Sequence, residues 1–374
     1  MTMEWKLIES DQALQELMAA SEGCQAVMVD TEFMRRNTFY PQVALVQLCF
    51  DGSAAAGTAW LIDPLEISDP APLAQLLQDP GVVKVLHSAS EDLEVFQRWL
   101  GCVPAPLFDT QKAAAMAGLD FGMGYRALIL QLCDEDLPKG ETRSDWLKRP
   151  LTESQCHYAA QDVTYLLDAY AQLAQRCQNL GRYDWVLSDG EDAAASLATA
   201  LPNYYKRIKS AWKLQPRQLA VLVAVSQWRE EAARDWDKPR SWIIDDQACL
   251  QLAQHMPVDV SELRNKVDLP PAVMRKRGEL LVELVASVSE IEEGDLPQRL
   301  PPPLEQRQRD QLKALKKRAA AIADKLEMPQ QVLLAAKDYE QLLRPAETEP
   351  VSWQGWRKSV VVEPLRDAIL RGEL

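Results

Sequence analysis

Ala26-Val27-Met28-Val29-Asp30-Thr31-Glu32-Phe33 is a short apolar run that ends in two acids. Its β-branched and apolar residues predict a buried strand. Alternation along a strand puts Asp30 and Glu32 on the same face, two positions apart. Two neighbouring carboxylates repel and raise a pKa unless a divalent cation shares them. A strand end emerging into solvent would carry acids too, so this pair alone leaves both readings open.

Working outward, residues 43–50 (VALVQLCF) and 59–63 (AWLID) predict two further strands, with the turn-prone DGSAAAG between them. Neighbours joined by short loops pair antiparallel. Residues 82–86 (VVKVL) predict another buried strand, followed by a helix over about 90–99. A short strand at 107–109 precedes another helix, and apolar spacing predicts the longest helix of this half over 153–177. A meander followed by αβα units indicates an α/β layer fold with a mixed sheet. The Gly/Asp-rich stretch 187–192 is the expected boundary. Beyond it the strand signal ends, with helices expected over 219–233, 247–255, 261–265 and 278–288. A Pro-rich break, LPQRLPPPL (296–304), precedes a second helical set at 305–345. QWREEAARDWDKP and ALKKRAAAIADKLEMP echo each other faintly, so two small helical domains in tandem are expected. The boundaries are 1–190, 205–293 and 300–374.

The 374 residues carry 41 Lys+Arg against 55 Asp+Glu, a formal charge of −14, with 47% hydrophobic residues. That balance excludes disorder, collagen and coiled coil. Residues 1–189 hold 13 basic and 27 acidic side chains, and 190–374 hold 28 of each. Against the global acidity, 203–217 contains Lys206, Arg207, Lys209, Lys213 and Arg217 with Tyr204, Tyr205 and Trp212 and no acid. Residues 299–325 carry eight basic residues against Glu305, Asp310 and Asp324. Basic residues interleaved with aromatics suit a phosphate backbone with base stacking, and equally suit a solvated helix face. The seven cysteines form no CxxC, and there are three histidines, so zinc is not expected and metal chemistry must rest on carboxylates, pointing to Mg²⁺ or Mn²⁺. No apolar run approaches membrane-helix length, and the acidic N-terminus does not read as a signal peptide, so a cytoplasmic protein without membrane partners is expected.

Two further acidic clusters matter. His87-Ser-Ala-Ser-Glu91-Asp92-Leu-Glu94 lies at a strand–helix junction, where the helix N-terminus favours acids. Tyr158-Ala-Ala-Gln-Asp162 lies inside the long helix, with Tyr158 and Asp162 on one face. Taken in order, the three clusters resemble the exonuclease motifs of the DEDD superfamily: DxE on the first strand, an Asp after a later strand, and YxxxD in a late helix. VDTEF, FYPQ, LVQL, HSASEDLEVF, LFDTQ and SDWLKRPLTESQCHYAAQDVTYLL resemble the ribonuclease D family through most of 26–170. AWKLQPRQLAVLVAVSQWREEAARD resembles the HRDC domain; the second helical unit is the most divergent part.

The resemblance implies a ribonuclease-H-like exonuclease domain, a mixed sheet flanked by helices, followed by two all-α HRDC-type domains. It implies a 3′→5′ exoribonuclease releasing 5′-mononucleotides from tRNA precursors and other small structured RNAs with single-stranded 3′ ends. Two divalent ions, Mg²⁺ or Mn²⁺, would sit on Asp30, Glu32, Asp92 and Asp162, with no zinc and no organic cofactor. Tyr158 would orient the attacking water; His157, five residues before Asp162, satisfies the spacing of the histidine subclass but is read as a surface or packing residue. Phe33, Lys139, Lys206, Arg207 and Lys209 are candidate substrate contacts. Asp109 is read as structural and His87 as a hydrogen-bonded histidine at a strand end. A monomer is expected. A DNA 3′→5′ exonuclease and a non-catalytic RNA-binding adaptor are the alternatives.

Overall fold

The computed structural model describes residues 4–138, 140, 141, 144–199, 203–344 and 349–373. The chain forms two compact units, one comprising Met1–Met34, Pro41–Leu197 and Glu305–Leu374, the other Arg35–Tyr40 and Ala198–Leu304.

The first unit is built on six strands: β1 (Glu4–Ile8), β2 (Ala26–Met34), β3 (Gln42–Phe50), β4 (Thr58–Ile62), β5 (Val83–Leu86) and β6 (Leu107–Asp109). Their order is β1-β4-β3-β2-β5-β6. β2, β3 and β4 pair antiparallel, while β1–β4, β2–β5 and β5–β6 are parallel, so the sheet is mixed. Strand alternation divides β2 between two cores. Val27 and Val29 face a cluster with Leu14 and Leu17 of α1 (Asp11–Ala20), Leu73 and Leu77 of α2 (Ala71–Gln78), and Leu93 and Phe96 of α3 (Ser90–Trp99). Ala26 and Met28 face the opposite cluster, with α4 (Thr110–Met116), α5 (Tyr125–Cys133) and α6 (Glu153–Asn179). α6 begins at a capping box of Thr152 and Gln155 and buries Ala159, Ala160, Val163 and Leu166, which set its inner face.

Several features differ from the sequence expectation, among them the 300–374 domain, which joins the first unit. β1 went unread because its alternation, Glu4 to Ile8, is short and half exposed at the sheet edge. Residues 187–192, expected as a boundary, lie inside α7 (Tyr183–Thr199). Gly190 there is a packing residue: a Cβ would stand 2.3 Å from the Leu107 carbonyl oxygen, so only glycine lets α7 approach β6.

The second unit is helical: α8 (Pro216–Asp235), α9 (Arg240–Ile243), α10 (Asp246–His255), α11 (Val260–Lys266) and α12 (Pro271–Ser287) enclose Leu219, Leu222, Val225, Leu252, Leu263 and Leu281. α12 starts seven residues before the expected 278 because Pro271 suits the first helical turn. Asp237 accepts the backbone N–H groups of Phe39 and Tyr40 at 2.9 Å each. The helical set after the Pro-rich break, α13 (Gln306–Lys325) and α14 (Ala336–Leu342), shares the core of the first unit through Leu315, Ala319, Ala323 and Tyr339.

Candidate active site

Asp30 and Glu32 project from β2 on the α6 face, and a bulge between Glu32 and Phe33 ends the regular register with β3. Asp162 reaches them from α6. The three carboxylates each offer an oxygen within 4.8 Å of the others, and they border a cavity of about 430 Å³ together with His87, Tyr125 and Tyr158. Thr31, on the other face of β2, aims at α3. Its hydroxyl donates to Asp92, which is 8% exposed in the first turn of that helix. Asp92 therefore stands beside the trio, held by Thr31, and is outside the group of three that converges.

Burial dominates the electrostatics. It raises the Asp30 carboxyl well above its ordinary range, reinforced by the charges of Asp162, Asp92 and Glu32. Glu32 is pushed up to about 9, again first by burial and then by Asp162 and Asp92. Asp92 and Asp162 are raised for the same first reason, with hydrogen bonds from Thr31 and Tyr158 respectively opposing the shift. Arg126 also lines the cavity, but it is paired with Asp136 at 2.6 Å. Hard oxygen donors, gathered and desolvated without an adjacent free cation among the described residues, fit a divalent ion of the Mg²⁺ or Mn²⁺ kind.

Tyr158 is placed by its neighbours. Its hydroxyl donates to Asp162 one turn on, and its ring sits 6.1 Å from that of Trp146. A Cβ on Gly140 would fall 1.9 Å from the Tyr158 ring, so the backbone at 140 lies directly against it. Burial and the surrounding acids hold the phenol far above its ordinary pKa, so it is a hydrogen-bond donor rather than a phenolate. His157 points away and is exposed.

The other expected contacts scatter. Phe33 is half-buried after the bulge and does not border the cavity. Lys139 lies outside the described residues. Lys206, Arg207 and Lys209 are exposed and belong to the second unit. Asp109 is structural: it caps α4 through Gln111 N–H and accepts from Ser88 N–H. His87 corrects the expectation in part. The Thr110 hydroxyl donates to the Leu86 carbonyl, so His87 Nδ1–H donates to Thr110 Oγ1 at 3.0 Å. Nε2 is buried, with no hydrogen bond of good geometry among the described residues, in a ring that borders the cavity. Gln47 was missed altogether. It lies directly opposite Asp30 on β3, fully buried, its side-chain amide without a described partner. A single polar residue in the run VALVQLCF was the available signal.

A mixed sheet carrying DxE on a strand, an Asp at a following helix start and YxxxD in a late helix defines a 3′→5′ exonuclease of the DEDD type, a class that uses divalent metal. A family model described as 3′-5′ exonuclease matches residues 5–178, and one for the HRDC domain matches 218–285. Ribonuclease D of Pseudomonas paraeruginosa is 42% identical over 349 residues, covering 91% of both chains. That of Escherichia coli is 34% identical over 376 residues, covering 98% of this chain and 99% of its own. The crystal structure of Escherichia coli RNase D, described as an exoribonuclease involved in structured RNA processing, superposes with a TM-score of 0.91 at 33% identity, covering 99% of each chain. The chain belongs to the ribonuclease D family: it is a 3′→5′ exoribonuclease, a hydrolase.

Proposed function

We propose that this enzyme removes nucleotides one at a time from single-stranded RNA 3′ ends, by two-metal-ion hydrolysis releasing 5′-mononucleotides. The observation that carries the reading is the convergence of Asp30, Glu32 and Asp162, with Tyr158 bonded to Asp162, on one cavity. Bound divalent ions would supply Lewis acidity to the scissile phosphate and acidify the attacking water. The carboxylates of Asp30, Glu32 and Asp162 would hold them, and Asp92, steadied by Thr31, would complete the set. The Tyr158 hydroxyl orients the water, with Gly140 and Trp146 fixing the ring. The charge that builds on the phosphate and the leaving 3′-oxygen is thus met by a preassembled site.

The substrates on this reading are tRNA precursors and other small structured RNAs with short 3′ trailers, processed by a cytoplasmic monomer. No described helix is long and apolar enough to cross a membrane. Lys206, Arg207 and Lys209 contact phosphate on the same reading. The test is a 3′-extended tRNA precursor and its DNA counterpart, each incubated with Mg²⁺ or Mn²⁺ and followed at nucleotide resolution. Stepwise shortening of the RNA with 5′-mononucleotide products is expected. Faster loss of the DNA would transfer the activity to DNA, and binding without shortening would favour an adaptor.

A further inference from the structure

The catalytic cavity carries one side chain that metal binding does not use. Arg126, in the first turn of α5, is the one lysine or arginine on its wall among the described residues. Its described ion pair is with Asp136, and with none of Asp30, Glu32 and Asp162. Nε and Nη2 both donate to a single oxygen of Asp136, at 2.7 and 2.6 Å. Nη1, and the second oxygen of Asp136, are left without a partner among the described residues.

The pair is loosely held. Its two side chains are 45% and 61% exposed, and an ion pair in solvent contributes little. Arg149 and Arg357 of the same unit are different: each meets a buried acid and also donates to main-chain carbonyls, so each is pinned in place. Arg126 donates to no carbonyl among the described residues. Its partner closes a run of three exposed acids, Asp134-Glu135-Asp136, directly before Leu137 and Pro138 on the cavity wall. An entering strand must bring phosphates past these acids. A phosphodiester offers two free oxygens to a guanidinium fork that Asp136 engages through one. Because Arg126 is paired away from the three converging carboxylates, the phosphate it suits is a neighbour of the one being cleaved.

We propose that Arg126 binds the RNA phosphate next to the scissile one, exchanging Asp136 for it as the 3′ end enters the cavity. The proposal rests on the reading of this cavity as the exonuclease site. Asp136 is then a competitor of the substrate, which holds the guanidinium in place while no RNA is bound. The contact reads the backbone and carries no base preference.

The test compares the natural chain with Arg126→Gln, Asp136→Asn and the double variant on a short single-stranded RNA in Mn²⁺. Glutamine suits a helix and both positions are exposed, so the thermal melts should coincide. A contact away from the reacting phosphate is made equally before and in the transition state, so it acts on KM rather than kcat. Arg126→Gln should raise KM about tenfold, the worth of one charge-assisted hydrogen bond. The slope of log KM against log salt should flatten by about 0.7, one phosphate's share. Asp136→Asn should lower KM about twofold to fivefold, the worth of an exposed ion pair. The double variant should match Arg126→Gln alone, because Asp136 acts through the arginine. An unmoved KM in Arg126→Gln, a loss in kcat instead, or a gain from Asp136→Asn that survives without the arginine overturns the proposal. If Arg126→Gln does not fold, Asp136→Asn decides, and an unchanged KM there overturns it. The two readings fail separately. Normal cleavage with an unmoved KM overturns the Arg126 contact alone. Absence of cleavage overturns the catalytic reading, and Kd for the same RNA in Ca²⁺, read by anisotropy across the same proteins, then decides the contact by the same ordering.

Discussion

Glu230 in the second unit is 4% exposed and is reached by both Arg234 and Arg240. Asp30, Glu32 and Asp162 in the first unit gather within 4.8 Å, and the one arginine on their cavity among the described residues is already paired with Asp136. The first unit shows that it can compensate buried acids elsewhere. Arg149 spans Asp63, the Ala44 carbonyl and the Trp146 carbonyl, and Arg357 spans Asp189 and the Val332 carbonyl. Buried charge with an internal partner is architecture; buried like charges without one need a counterion from outside. The folded chain holds three raised carboxyls together at some cost to its own stability.

The largest expected effect comes from removing a charge at the uncompensated site. Asp30→Asn or Asp162→Asn should lower turnover by at least about a thousandfold, since divalent ions lose a ligand. Their melting temperatures at pH 8 without metal should equal or exceed that of the natural chain, because repulsion is relieved. A stable variant with near-normal turnover would erase the contrast. Removing a partner at a compensated site should do the opposite. Arg149→Ala leaves Asp63 buried without its cation and should cost about 3–5 kcal/mol by urea denaturation.

Tyr158→Phe sharpens the comparison, because it touches the site without touching charge. Turnover should fall about a hundredfold, while Mn²⁺ affinity measured by calorimetry stays near normal. His157→Ala should leave turnover almost unchanged, since that ring is exposed. The reverse order of these two effects would move the chain to the histidine subclass.

A smaller effect follows from pH. Glu32 is raised from an ordinary 4.5 to about 9, so the folded site keeps a proton that the unfolded chain releases. Its contribution to stability is fully present below about pH 4.5 and is lost as pH rises toward about 9. Without metal, the melting temperature should therefore fall over that window. Added Mn²⁺ should raise it more at pH 8 than at pH 6, because metal binds the ionised carboxylates.

That Asp30, Glu32, Tyr158 and Asp162 share one cavity was legible in the sequence because each sits in a short pattern with its own strand or helix periodicity. β2 to β6 were legible for the same reason. What stayed hidden depends on distant neighbours. Gly190 reads as a breaker until the Leu107 carbonyl is placed beside it, and Gly140 reads as loop until the Tyr158 ring is. Asp92 and Glu32 look equivalent in sequence, yet they approach from opposite faces of the sheet, and only Thr31 on the intervening strand explains how Asp92 is held. The sharing of one core by 305–374 and the α/β sheet rests on contacts across more than a hundred residues, such as Arg182 donating to the Leu326 carbonyl at 2.5 Å. Local periodicity carries no such information.

The central claim is that the uncompensated carboxylates become active only when divalent ions neutralise them. The most direct measurement is single-turnover cleavage of a 3′-labelled single-stranded RNA by metal-stripped enzyme as Mn²⁺ is titrated in. The account predicts no cleavage in EDTA, and 5′-mononucleotide release that rises with Mn²⁺ to saturation and is absent from Asp162→Asn throughout. Cleavage that persists in EDTA, or an Asp162→Asn titration that overlays the natural one, would contradict it.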